Sequence, residues 1–299
     1  MPPPSPAGIL NIDKPQGWTS HDVVAKARRL TGQRRIGHAG TLDPLATGVL
    51  LLCVGQATRL VQYLMPGQKR YRTTVRMGIV TDTYDSTGVV ISQTDRIDIS
   101  RPQIEAVLPD FTGEIEQVPP MFSALKRDGQ PLYKLARRGE TVEREARSVR
   151  IESLSIFGWT SPDLTLDILC TSGTYVRSLA HDLGLRLGCG GHVTALTRLA
   201  SGRFLLAEAV SLETLAAAAE AGTWADYLHP MDAALLHLHP IAADESETKR
   251  LLNGQPIPCL EAPSTAEGRA YDPGGRLIAI VVYDAGTAHW RPKRVFSSI

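Results

Sequence analysis

The sequence predicts an α+β fold, with a mixed and largely antiparallel sheet flanked by helices and a smaller β-rich unit at the C-terminal end. Three observations carry this reading. Short apolar or alternating runs bounded by Gly, Pro and Asp, such as Gly8 to Lys14, Val49 to Val54 and Leu164 to Cys170, have the length and pattern of strands. Helical segments fall among them without the strict strand–helix alternation of a doubly wound sheet. After His229-Pro230 the composition shifts to short apolar pieces separated by Pro, Gly and Asp turns.

In chain order, the alternating run from Gly8 ends at a Lys14-Pro15 turn and reads as a strand. Thr19, Ser20 and Asp22 offer capping side chains to a helix over 21–31, which Gly32 stops. A glycine-punctuated loop from Gly37 to Gly48 leads into the strand Val49 to Val54. Tyr71 to Ile79 alternates as a strand, residues 102–109 read as helix, and Gln117-Val-Pro-Pro120 as a turn. Gly173 breaks the strand ending at Cys170 before a helix over 176–188, whose apolar positions are Val176, Leu179, Ala180, Leu183 and Leu187. An alanine-rich helix starts near Ser211, and Leu235 to Leu238 and Leu277 to Tyr283 are the apolar pieces of the last region. At 299 residues the chain is long enough for about two domains at roughly 150 residues each. The expected division is a frayed tail over 1–7, a main domain over 8–239 and an appendix over 240–299.

Composition narrows the function classes. The longest clean apolar runs, Val49 to Val54 and Leu277 to Tyr283, have six and seven residues, far short of the roughly twenty a membrane helix needs. The Pro-rich start lacks the basic and apolar regions of a signal peptide, so the expectation is a soluble, cytoplasmic protein with no membrane partner. Cys53, Cys170, Cys189 and Cys259 form no CxxC pair or Cys/His cluster, which argues against structural zinc and against a disulfide framework. His237 and His239 are expected to share one face of a strand and, lacking a third ligand, to be structural. The net charge is only +1, yet it is distributed in blocks. Residues 1–80 hold 11 Lys and Arg against 3 Asp and Glu, 81–120 hold 2 against 8, 121–150 hold 8 against 4, and 204–248 hold none against 8. Such blocks can fold into a positive face with a negative back, which suits a phosphate backbone without a high pI.

The most unusual stretch is Arg34-Arg-Ile-Gly-His-Ala-Gly-Thr-Leu-Asp-Pro-Leu-Ala-Thr-Gly-Val49. Its glycines let a backbone approach a ligand closely. Arg34, Arg35 and His38 are candidate phosphate contacts, and Asp43 is a carboxylate left for chemistry. The residues alone leave a second reading open, because Asp-Pro also starts turns whose carboxylate merely caps the next amides. A nucleotide-cradling loop is disfavoured, since the stretch lacks a terminal Gly-Lys-Ser/Thr.

From Arg35 to Leu50 this segment resembles the active-site motif of the TruB family of tRNA pseudouridine synthases. The resemblance extends to Asn11-Ile-Asp-Lys-Pro15 with Gly17-Trp-Thr-Ser20, to Lys69-Arg-Tyr71, and to Thr81-Asp-Thr-Tyr-Asp85. Further matches are Pro119 to Lys126, Gly173-Thr-Tyr-Val-Arg177, and Gly190-Gly-His-Val193 followed by Arg198-Leu199, so that it spans about residues 8–205. The C-terminal 60 or so residues are more weakly similar to a PUA-type RNA-binding domain.

The resemblance implies isomerisation of the T-loop uridine at tRNA position 55 to pseudouridine, with no cofactor and no metal. It implies a pseudouridine synthase catalytic domain over 8–239 and a tRNA partner, with the acceptor stem met by the C-terminal domain, in a monomeric enzyme. Asp43 becomes the catalytic aspartate, and Arg177 the cation that orients it and holds its pKa down. Tyr71 stacks on the target base and takes the C5 proton. Tyr175 and Leu199 line the uracil pocket, and His38 fills space left by the everted nucleotide or meets phosphate. Lys14, Lys69, Arg70 and Lys126 are expected to contact the RNA backbone. The alternative is a catalytically silent RNA-binding protein on the same scaffold.

Overall fold

The computed structural model describes residues 6–296 except positions 95, 96, 124, 128, 137, 141 and 262; at 126, 127, 131 and 133 it describes the backbone only. Among the described residues, a nine-stranded sheet forms the main domain. Its strands are β1 (Gly8–Lys14), β2 (Ile36–Ala39), β3 (Thr47–Val54), β4 (Lys69–Met77), β5 (Gly113–Gln117), β6 (Arg147–Thr160), β7 (Asp163–Cys170), β8 (Gly191–Ser201) and β9 (Phe204–Leu205). The order is β1-β3-β8-β4-β7-β6-β5, with β2 beside β3 and β9 beside β8. Every pairing is antiparallel except the short β8–β3 contact, so the sheet is mixed and largely antiparallel as expected.

The apolar run of β3 explains its central place, because alternate residues enter two different cores. Leu50, Leu52 and Val54 join a cluster with Val23, Val24 and Ala27 of helix Ser20–Thr31, Leu179 and Leu183 of helix Val176–Arg186, and Leu212 and Leu215 of helix Leu212–Glu220. Val49, Leu51 and Cys53 enter a second cluster with Leu60, Leu235, Leu277, Ile280 and Phe296. The first helix has the predicted stops: Thr19 and Asp22 form a capping box, and Gly32 ends the helix at φ 69°.

The structure departs from the sequence reading in several places. The stretch expected as one loop from Gly37 contains β2, because Ile36 and Ala39 bury their side chains against β3. The strand expected from Tyr71 to Ile79 breaks at Gly78 (φ 88°), and Ile79–Thr81 instead pairs with Val90–Gln93 in a separate hairpin. Leu235 to Leu238 is not a strand but a turn after a short 3-10 helix, with Leu235 and Leu238 sunk in the second core. His237 and His239 therefore share no strand face; His237 lies near Tyr63, and His239 stacks on Trp290. A five-stranded sheet follows, ordered His239–Ala242, Glu267–Tyr271, Leu277–Asp284, His289–Val295, Ile257–Pro258. Among the described residues, no helix is long and apolar enough to cross a membrane.

Candidate active site

Asp43 sits on the short loop between β2 and β3, and the loop is held from several sides. Leu42, Leu45 and Ala46 are buried in the first core. Ser20 Oγ accepts from the Leu42 amide at 2.9 Å and donates to its carbonyl at 3.2 Å. Lys14 Nζ donates to the carbonyls of Trp18 (2.7 Å), Pro15 (2.9 Å) and Pro44 (3.4 Å). Gly48, at φ 93°, closes the loop against β8, where a Cβ would come within 2.3 Å of the Arg198 carbonyl. Glycine is thus required there by both backbone angle and space.

The carboxylate of Asp43 faces the first turn of helix Val176–Arg186. Arg177 Nε lies 2.8 Å from one oxygen and Nη2 3.1 Å from the other, a side-on pair. The guanidinium is 5% exposed and uses its other hydrogens on the carbonyls of Thr83 (3.0 Å) and Phe122 (2.8 Å), with Asp85 at 3.4 Å. Asp85 is itself buried, and accepts from Thr83 Oγ1 at 2.8 Å and the Thr87 amide at 2.9 Å. Burial pushes the Asp43 carboxyl above its ordinary pKa; Arg177 pulls it back, and Asp85 adds to the rise. Arg177 thus acts in the expected direction, lowering this pKa against burial without cancelling the rise.

Asp43 lines a cavity of about 320 Å³ with Tyr71, Lys69, Tyr175, Arg177, Leu196 and Arg198 among its walls. That volume lies at the small end of the roughly 300–1,000 Å³ typical of small-ligand sites. A wider hollow of about 530 Å³ beside Glu105, Leu108, Pro109, Thr112 and Leu154 offers one carboxylate, and Arg101 already pairs with it at 2.7 Å. Tyr71 is 9% exposed; burial raises its phenol pKa while Arg198 lowers it. Tyr175 is fixed by a reciprocal pair, its amide donating to Gln117 Oε1 (2.7 Å) and its carbonyl accepting from Gln117 Nε2 (3.0 Å).

The structure moves several expected contacts. Leu199 is not among the lining residues: Leu196 and Arg198 present one face of β8 to the cavity, and alternation along the strand turns Leu199 to the other. Lys14 is fully buried beneath the loop with its amine engaged by carbonyls, so it supports Asp43 and has no free ammonium for RNA. Lys69 is 5% exposed and faces the cavity, while Arg70, on the opposite face of β4, is exposed near Asp167. His38 is half-buried, edge-on to His21 and outside the cavity lining. The side chain of Lys126 lies outside the described residues.

Sequence reasoning gave no role to Arg198 or Gln117. Arg198 is 2% exposed and donates to the carbonyls of Val49 (2.6 Å) and Gly40 (3.2 Å), at the two ends of the loop. Its signal was visible as a lone cation inside the apolar run Ala195 to Ala200.

Comparison with known proteins agrees with this geometry. Residues 28–176 match the TruB family pseudouridylate synthase N-terminal domain, and residues 177–236 match the tRNA pseudouridylate synthase B C-terminal domain. The tRNA pseudouridine synthase B of Pseudomonas aeruginosa (strain UCBPP-PA14) is 50% identical over 277 residues, 92% of this chain and 91% of that protein. That of Geobacter sulfurreducens is 46% identical over 289 residues, covering 95% of each chain. Among solved structures, a Cbf5-Nop10-Gar1 complex aligns at TM-score 0.75 and 26% identity, over 96% of this chain and 84% of that one. With two family models over residues 28–236 and relatives at these identities, on this fold, the chain belongs to the TruB family of pseudouridine synthases.

Proposed function

We propose that the protein converts uridine to pseudouridine at position 55, in the T loop of tRNA, with Asp43 as nucleophile and no cofactor. The observation that carries this reading is the side-on Asp43–Arg177 pair opening on a cavity walled by Tyr71. Isomerisation is redox-neutral and transfers no group to or from another molecule, so a carboxylate and a base pocket suffice. The N1–C1′ bond breaks, the uracil turns, and C5 bonds to C1′; C5 gives up its proton to solvent and N1 takes one. Asp43 acts by attack on C1′ or by addition to C6, and Arg177 orients it in either route.

A base inside a folded loop must leave its stack to reach Asp43, and stacking on Tyr71 recovers part of that cost, on the order of 1–3 kcal/mol. Recognition then rests mainly on the shape of the T arm. The C-terminal sheet is assigned to the acceptor stem, as a PUA-type domain, and the protein to the cytoplasm as a monomer. A T-loop hairpin with tritium at uridine C5 tests the reading. Release of label without free uracil is the expected result; retained label indicates a binding protein, and free uracil a hydrolase.

A further inference from the structure

Three cations line the cavity, and they differ in what holds them. Arg177 has two aspartates and two carbonyls, and Arg198 has two carbonyls. Lys69 has almost nothing. Its ammonium carries three N–H donors, yet it makes one long contact, 3.4 Å to the Leu64 carbonyl. Among the described residues no carboxylate lies against it. A buried charge without a partner is costly, and folds retain one where something else compensates. Its burial also removes it from the RNA backbone, whose phosphates run outside a pocket that accepts a single everted base.

We infer that Lys69 faces the base: its ammonium donates to a carbonyl oxygen of the pyrimidine and stabilises the negative charge that gathers there as the base is released. The inference rests on the isomerase reading and assigns a role that reading leaves open. When Asp43 attacks C1′, the electron pair of the breaking N1–C1′ bond passes into the uracil ring and spreads over its carbonyl oxygens. When Asp43 instead adds to C6, electron density moves to the C4 oxygen. A fixed cation at a carbonyl oxygen lowers the barrier in both cases, without itself gaining or losing a proton. Burial and the neighbouring Arg198 lower the Lys69 pKa to about 8, which leaves the group charged near neutrality.

The test compares the parent with Lys69→Met, which is close in size and removes the charge with its N–H donors, and with Lys69→Arg, which restores both. Single-turnover release of C5 label from the T-loop hairpin is read beside hairpin affinity at several salt concentrations. Lys69→Met is expected to slow release by about 10²–10³-fold, the range for loss of one oxyanion donor. Its affinity stays within about twofold, and Lys69→Arg regains at least about tenfold of the rate. Should Lys69→Met fail to fold, Lys69→Gln, which keeps an N–H toward Leu64, carries the same measurement. A folded variant within about threefold of the parent rate overturns the inference. So does a loss carried by affinity with a salt slope reduced by about 0.7–0.9, which marks a phosphate contact. If the parent itself releases no label, it is the isomerase reading that fails.

Discussion

Strand β4 presents charge on both of its faces, under opposite rules. On the solvent face, Arg72 lies 2.7 Å from Asp167 and over the Phe157 ring, Arg76 lies 2.8 Å from Asp163, and Arg70 lies 3.6 Å from Asp167. The two aspartates stand opposite them on β7. On the cavity face, two residues apart, Lys69 and Tyr71 are buried and meet no acid of the neighbouring strand. Outside, charge is balanced within the sheet, and each pair contributes little because water already screens it. Inside, charge is held in deficit of partners, where low dielectric makes every contact with an incoming group count for more.

Breaking the cavity side should give the largest effects. Asp43→Asn keeps the shape and removes the nucleophile, and label release should fall by at least about 10⁴-fold with hairpin affinity little changed. Lost affinity in proportion to rate would return Asp43 to the role of a turn cap. Next comes Arg177→Lys, expected to lower release by about 10²-fold and to alter the pH profile. The Asp43 carboxyl already titrates above the ordinary carboxylate range, and only its ionised form attacks, so activity is lost as pH falls through that raised pKa. Weakening the bidentate arginine removes the main opposing influence and moves the acid limb to higher pH; an unmoved limb would show that Arg177 acts by shape alone.

Tyr71 separates stacking from proton transfer. Tyr71→Phe should retain hairpin affinity and lose turnover, whereas Tyr71→Ala should also weaken binding by roughly 1–3 kcal/mol. Equal affinities for the three proteins would remove the stacking role.

Lys69 sharpens the comparison through stability. Its folded pKa of about 8 lies below the unfolded value of 10.5, so between those values the unfolded chain binds more protons and stability rises with pH. Lys14, also lowered to about 8, adds a rise of the same sign. In Lys69→Met the Lys69 share disappears, and near neutrality the variant should exceed the parent in stability by up to about 3 kcal/mol, readable by denaturant unfolding at pH 7 and 10. Arg76→Ala, on the solvent face, should leave turnover unchanged and shift the thermal midpoint by no more than about 2 °C.

The sequence made some of this architecture legible and hid the rest for physical reasons. The six-residue run of β3 announces a strand buried on both faces, and Thr19, Asp22 and Gly32 mark the first helix at both ends. By contrast β6, the longest strand at 14 residues, alternates weakly because much of it is exposed, and β8 hides its period behind two irregularities. Asp43, Tyr71 and Arg177 were readable from motifs. What motifs do not carry is burial: Lys14 and Lys69 read as RNA-backbone contacts, and only the packing of the loop and of β4 shows one amine spent on carbonyls and the other turned inward.

The second core has a consequence for how the C-terminal sheet can be studied. Leu277, Ile280 and Phe296 complete the cover over Val49, Leu51 and Cys53, the strand that closes the Asp43 loop, and Arg59 donates to the Val295 carbonyl at 2.6 Å. Cutting the chain near 240 would strip that cover and wet the underside of that strand. A shortened protein that no longer turns over tRNA would then report a lost foundation before it reported a lost grip on RNA. Point changes on the outer surface of the terminal sheet are the cleaner way to separate the two.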